Sequence, residues 1–383
     1  MPLERLTTQH QLAELAPEWR QLEANAVPLP FATGDWVAAW WANLRAERFA
    51  LRDRLFTLAL RDGGGKLLGV APLMITERPS VGPVKARQLQ FIGADANLTE
   101  IRGLLAREGC EELVYREVRD YVLAAGDEWD LMTWSGVDAA GAGSRLLDEC
   151  GAAWEDNLSD WILPLPRDWE AFHAGLSRNI RESLRKCRNA PRRDGIEFRF
   201  EVATDPAAVG SALERFFALH AERAAQAGTV RHRDNFGRTA TRAFLREVCQ
   251  RFAKRGVTHV FTLMHGDEAV ATRIGFLIHS SMYLYYSGFQ HRYARYSVMT
   301  ACLAEAIRWS IGAGARSVNL STGTDVSKLR WGPREHVFRT ARLSSRSVRG
   351  RLVGASLNWA RHQLAQSPSL QQMARIWRRG ADP

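Results

Sequence analysis

The segment from Met282 to Thr322 constrains the fold more than any other part of the chain. Met282-Tyr-Leu-Tyr-Tyr-Ser-Gly-Phe has the aromatic content of a strand. A polar loop, Gln290-His-Arg-Tyr-Ala-Arg-Tyr-Ser, follows it. Met299, Leu303, Ala306, Ile307 and Ser310 then recur at helical spacing, which predicts a helix from Val298 to Ile311. Gly312 and Gly314 mark its end, and Ser317-Val-Asn-Leu-Ser-Thr reads as a second strand. A helix that returns the chain to the same sheet leaves its two strands parallel, by a right-handed crossover. The expected fold class is therefore α/β, with mixed sheets.

The plan occurs twice. Phe31-Ala-Thr-Gly-Asp-Trp-Val-Ala-Ala-Trp-Trp reads as a helix capped near Thr33 or Asp35. The strand Phe56-Thr-Leu-Ala-Leu, a turn at Asp62-Gly-Gly-Gly and the strand Leu67 to Ile75 follow. About 205 positions later the set returns: a helix through Phe244, Leu245 and Val248, a strand at Phe261-Thr-Leu-Met, a turn at His265-Gly-Asp-Glu and a strand from Ala269 to Ile278. Glu128-Trp-Asp-Leu-Met-Thr-Trp and a helix from Ala140 to Gly151 close the first copy, and Ser159 to Pro166 is the expected interdomain joint. With 383 residues, there is length for two cores.

The five cysteines, Cys110, Cys150, Cys187, Cys249 and Cys302, are odd in number and lack CxxC spacing. That argues for a reducing compartment and against a zinc site or disulfide framework. The first residues carry charge where a signal peptide needs an apolar run, and no apolar run reaches membrane-spanning length. The expected location is cytoplasmic. A net charge of +10 calls for an anionic partner. Seven arginines against one acid, Asp382, fall in 346–383, and Arg178, Arg181, Arg185, Arg188 and Arg192 follow helical spacing. In the tail, Val353, Leu357, Ala360 and Leu364 form one apolar stripe, and Leu370, Met373 and Trp377 a second. Such a basic amphipathic tail fits an anionic membrane face, with packing on the body as the alternative. The arginine helix is either a solvated face or a stripe for phosphates. Nucleic acid is disfavoured as a partner because no reading motif is present.

The loop 290–298 opens onto a helix start, where unpaired N–H groups and the helix dipole favour an anion. It brings Arg292 and Arg295 to that place. The sequence lacks HExxH, GxSxG, GxxxxGK(S/T) and GxGxxG, so metalloprotease, serine hydrolase, nucleotide-triphosphate and dinucleotide chemistries are not supported.

The 282–322 unit resembles the acyl-CoA cradle of the GNAT superfamily. The ordered set PFATGDWVAAWW, FFALHAER, YYSGFQHRYARYSVMTACLAEAIRWSIGAGARSVNLSTG and DVSKLRWGP resembles tandem-GNAT acyltransferases, a group that includes cellulose-biosynthesis-associated enzymes. Its Lys-x-x-Trp-Gly ending is also similar to Fem-type peptidoglycan aminoacyltransferases. The resemblance covers residues 25–340. It implies a degenerate GNAT-like domain over 1–165, a catalytic one over 166–345 and the tail over 346–383. It implies acyl-CoA as co-substrate with no permanently bound cofactor and no metal, cradled by Ser287, Gly288, Arg292, Arg295, Tyr296, Ser297 and Val298. Arg295 and Ser297 stand where such cradles have glycine.

Acylating an amine needs a proton acceptor and a donor to the leaving thiolate. His220 is the expected base, because its ordinary pKa lies near working pH. Tyr285 and Tyr286 are the candidate donors, expected on opposite faces of their strand. Arg223, Ser321, Thr322, Asp325, Lys328 and Trp331 are expected around the acceptor. A lipid or sphingoid-base amine is the expected acceptor, since bacterial ceramide synthases are GNAT-like. Peripheral attachment at the inner membrane face would follow. An amino sugar of a polysaccharide, or a Fem-type use of aminoacyl-tRNA, are the alternatives.

Overall fold

A computed structural model describes residues 2–356 apart from 28, 81–84, 96, 156 and 227–231. Among these residues, thirteen strands form one sheet and four a second. In the C-terminal half, Arg199–Ala203, Thr258–His265, Glu268–Ile278 and Ser281–Phe289 are successive antiparallel neighbours. Ser317–Thr322 then joins parallel to Ser281–Phe289, as the crossover requires. The helix between them, Val298–Gly312, ends with Ala315 N donating to Ser310 O and Gly314 in the left-handed region at φ 80°.

Two helices cover the other face. Pro206–Ala225 starts on Asp205, whose carboxylate accepts from Ala207 N and Ala208 N at 3.1 and 2.9 Å, with proline in the first turn. It buries Val209, Leu213, Phe216, Phe217 and His220 along one stripe. Thr239–Ala253 packs beside it.

The N-terminal half repeats the crossover. Lys85–Phe91 and Leu131–Asp138 run parallel with helix Glu111–Ala124 between them in sequence. Its hairpin is broken, however. The run 51–61 divides at Phe56 and 67–79 divides at Pro72, which lacks the N–H a ladder needs. The pieces Thr57–Arg61 and Leu67–Ala71 leave for the small sheet with Leu3–Leu6 and Leu105–Ala106.

The segment expected as a joint is a strand. Leu158–Pro164 lies between Ser317–Thr322 and Arg334–Ser344, antiparallel to both, and Arg334–Ser344 pairs onward with Leu131–Asp138. Its prolines Pro164 and Pro166 sit at and just past the strand end, where the ladder stops, so the alternation of Leu158 to Leu163 is free to pair. One sheet therefore runs through both halves.

The core is shared as well. Trp36, 1 % exposed, sits edge-on to Phe31 and Tyr285 and to Phe244 and Phe276, with ring centroids 4.8 to 6.2 Å apart. Beside it, Arg255 donates to Asp35 at 2.8 Å and Glu23 at 2.7 Å, both carboxylates being buried. Of the tail, residues 348–356 are helical. Val353 is buried and Arg349 donates to Asp130 at 3.0 Å. Leu357, Trp359, Leu364, Leu370, Met373 and Trp377 lie outside the described residues.

Replacing Trp36 with alanine removes the ring that both halves pack against. We expect a loss of about 3–5 kcal/mol by denaturant titration. The unfolding should remain a single transition; two separated transitions would show that the halves hold separately.

Candidate functional site

The two parallel strands of the C-terminal half pair only at Ser281–Ser317, Met282–Val318 and Tyr283–Asn319, and then part. From Leu284 onward the two strands no longer pair with each other, and the space between them is an opening. A β-bulge lies at the same place. Arg273 pairs with Ser287 and Gly275 with Leu284, so Ile274 faces both Tyr285 and Tyr286. The bulge cancels the expected alternation, and the two tyrosines share a face with ring centroids 4.5 Å apart.

Their environments differ. Tyr285 is 4 % exposed, and its hydroxyl donates to Leu98 O within the shared core. It is a core residue packed against Phe31, Trp36 and Phe276, and of the two tyrosines it is the less accessible proton donor. Tyr286 is half-buried; it donates to Asn97 O at 2.7 Å and accepts from Asn235 Nδ2 at 2.9 Å. Burial pushes its pKa up, so the phenol stays protonated.

His220 stands 5.6 Å from the Tyr286 ring, measured between centroids. Its Nδ1 lies 3.2 Å from Ser287 O. A carbonyl only accepts, so Nδ1 carries the proton and Nε2 keeps its lone pair. Nε2 is enclosed, with Asp234 Oδ1 3.9 Å away as the more exposed neighbour. Burial is the main cause that lowers the His220 pKa, which leaves the ring neutral near pH 7. This approach of helix to strand depends on Gly288: a Cβ there would meet His220 N at 2.6 Å and Leu219 C at 2.7 Å. One turn on, Arg223 donates to Ser287 Oγ at 3.2 Å, and its Nη2 lies 3.0 Å from His232 Nε2.

The opposite wall comes from the other strand and from the N-terminal half. Glu100 accepts from Ser321 Oγ at 3.0 Å and from the Tyr283 hydroxyl. Burial raises its pKa. Ser321 is buried with a left-handed φ of 68°, and its N–H donates to Asn319 Oδ1 at 2.8 Å. Lys328 donates to Thr322 O and lies 3.9 Å from the exposed Asp325. Trp331 does not belong to this wall. It is 4 % exposed and stacked on Phe172 in the core beneath helix Val298–Gly312, which corrects its place among the substrate contacts.

At the helix start, residues 291–296 form a 3-10 turn rather than an open loop. Arg292 pairs with Glu268 from the preceding hairpin, and Arg295 lies 3.3 Å from Asp194 and over the Tyr296 ring. Arg292 and Arg295 stand at the helix start as expected from the sequence; both guanidinium groups remain exposed, and each has a carboxylate partner. Ser297 adopts φ 53°, ψ 41°, the conformation that a cradle glycine takes without strain, and Val298 follows buried. On the same side of the sheet, Arg178, Arg181, Arg185, Arg188 and Arg192 line a cleft of about 940 Å³ with Trp169, Phe198 and Glu305.

The structure thus brings His220, Tyr286, Ser287, Gly288, Arg223, Ser321, Thr322 and Lys328 to one opening. It adds Glu100, Asp234, Asn235 and Arg273, which sequence reading missed. Arg273 had a signal, being the lone charge inside the apolar run Ala269 to Ile278. Glu100 had none, since it arrives from the other half. Among the described residues, no three His, Cys, Asp or Glu are grouped as metal ligands, and no helix is long and apolar enough to cross a membrane.

Residues 178–329 match the family model described as acetyltransferase (GNAT) domain, so this stretch is a GNAT-like domain. Among solved structures, the chain is similar to FemX at 10% identity, with a TM-score of 0.53 over 88% of this chain and 97% of that one. L-PGS from Bacillus licheniformis gives 11% identity and a TM-score of 0.52, over 90% and 95%. A C-terminal domain (DUF2156) assigned to a lysylphosphatidylglycerol synthetase from Agrobacterium fabrum gives 12% and 0.52, over 91% and 96%. At these identities the likeness is one of fold. No curated protein matches the chain.

Gly288→Ala should push the His220 helix off its strand. We expect a loss of about 1–3 kcal/mol, because the clash is with backbone that cannot turn aside. An unchanged melting temperature would show that the helix can shift freely.

Proposed function

We propose that the chain is an acyl-CoA-dependent N-acyltransferase that works in the opening between Ser281–Phe289 and Ser317–Thr322. The observation that carries this reading is the bulged, unpaired strand edge beside a neutral histidine whose tautomer is set by Ser287 O. Free N–H and C=O groups on such an edge suit the amides and carbonyl of an extended thioester, as in strand addition. Nε2 of His220, with Asp234 facing it, takes the amine proton. The Tyr286 phenol is the donor to the departing thiolate, so the C–S bond breaks as the amide forms and the thiol leaves protonated. The acceptor we favour is a lipid amine. Its support is the tail, where seven arginines against one acid accompany two apolar stripes. The arginine-lined cleft favours a second reading, in which the donor is an aminoacyl-tRNA held through its phosphates.

Calorimetry with CoA thioesters of graded acyl length tests the donor. Binding in the low-micromolar to sub-millimolar range is expected, and its absence in folded protein would favour the tRNA reading. His220→Ala should lower turnover about 10²–10⁴-fold. Because the His220 pKa lies below its ordinary value, the midpoint of the acid limb of the wild-type rate should fall below pH 6.5. A mutant with wild-type turnover removes His220 from the mechanism. The full chain should also sediment with anionic liposomes and leave them at high salt. Failure to do so would turn attention to an amino-sugar acceptor.

A further inference from the structure

Three half-buried cations, Arg223, Arg273 and Lys328, lie along the two strands that border the opening. Arg273 is the cross-strand neighbour of Ser287, and Arg223 donates to that serine's Oγ at 3.2 Å. Both therefore converge on one leg of the opening. Lys328 holds Thr322 O on the other leg. The Arg273 side chain makes no hydrogen bond among the described residues, and Nε of both Arg273 and Arg223 is enclosed without an acceptor. Burial is the main cause that lowers the pKa of all three. Arg273 lowers Arg223 and Lys328 further, and Arg223 also lowers Lys328, through repulsion between like charges.

The carboxylates nearby are fewer than the cations. Exposed Asp325 lies 3.9 Å from Lys328 and also attracts Arg223 and Arg273, while Glu100, which attracts Lys328, is engaged by Tyr283 and Ser321 with its pKa raised by burial. Asp234 faces His220. Three half-buried cations against Asp325 and Glu100 leave an excess of positive charge, which a bound anion offsets.

Building on the acyltransferase reading, we propose that Arg223, Arg273 and Lys328 form a subsite for an anionic group, a carboxylate or a phosphate, carried by the amine acceptor. The donor's own phosphates do not fit this place. In a CoA thioester they lie a whole pantetheine arm from the thioester, whereas Arg223 follows His220 by one helical turn on Pro206–Ala225. The anion therefore binds beside the group that takes the amine proton. Guanidinium forks suit either anion bidentately, and such charge-assisted bonds are about twice as strong as neutral ones.

Calorimetry on the full chain decides it with three amines of similar length: ethanolamine, β-alanine and O-phosphoethanolamine. One anionic amine should bind at least about tenfold more tightly than ethanolamine, and which one does identifies the anion as carboxylate or phosphate. In Arg273→Gln and Lys328→Gln that preference should fall below about threefold. Arg273→Lys, which keeps the charge, should retain part of it. If Arg273→Gln fails to fold, Lys328→Gln and loss of the wild-type preference at high salt serve instead. Equal binding of all three amines, no binding by either anionic amine, or a preference that survives the substitutions overturns the proposal. Cations that serve only the oxyanion of the reacting carbonyl would give the first of these. Acyl-CoA binding, measured separately on the wild type, keeps the two readings apart. Thioester binding without anion preference ends the subsite alone, and anion preference without thioester binding ends the acyl-CoA reading alone.

Discussion

Everything at the site depends on two parallel strands parting after three paired residues. Left to itself, a strand edge closes on its neighbour, since each unmade backbone hydrogen bond away from water is costly. Here both strands are held from outside. Ser281–Phe289 is fixed along Glu268–Ile278, where the bulge at Tyr285 and Tyr286 bends it away. Ser317–Thr322 is fixed along Leu158–Pro164, which is in turn paired with Arg334–Ser344. The opening is therefore kept by the whole sheet, through strands contributed by segments far apart in sequence.

The N-terminal half shows what becomes of the same crossover when the opening is not kept. Lys85–Phe91 and Leu131–Asp138 pair at Gln88–Leu131, Leu89–Met132 and Gln90–Thr133, again three residues. Beyond that point the chain itself fills the space. Arg102 O comes so near Gly136 that a Cβ there would lie 2.0 Å from it, and Gly136 takes φ 66° to admit it. The residues just before Arg102 do the opposite for the other half. Asn97 O and Leu98 O accept from Tyr286 and Tyr285, and Glu100 reaches Tyr283 and Ser321. One short segment thus occupies the first opening and furnishes the second.

This division of labour explains what was legible in the sequence. Helical and strand periodicity report on neighbours three or four and two residues away, so the crossover, the caps at Thr33 and Asp205 and the repeated hairpins could be read. The break at Pro72 and the strand role of Leu158–Pro164 depend on pairing partners more than a hundred residues off in the second case. There, proline near a strand end reads like a linker. Tyr285 and Tyr286 were placed by alternation, and a bulge is invisible to alternation until the partner strand is known. Arg292 and Arg295 had the right position at a helix start, but their charge depends on Glu268 and Asp194, whose approach comes only with the fold. His220 stands out in the sequence because a histidine on the apolar face of a helix is chemically conspicuous. The deciding fact about it, which nitrogen is free, rests on Ser287 O.

The same low polarity acts on base and cations with opposite consequences for function. Burial favours the neutral imidazole, which a base requires, and disfavours the guanidinium and ammonium groups around it. Arg223 contributes to both, since its charge is one of the causes lowering the His220 pKa and its own is lowered by Arg273. An anion seated among Arg223, Arg273 and Lys328, as proposed, would offset that field. His220 would then be more basic with the acceptor bound than without it, which would couple proton uptake to occupancy through Coulomb interaction alone. The fold needs no moving part for this; the one-turn spacing of His220 and Arg223 on a helix anchored against Gly288 is sufficient.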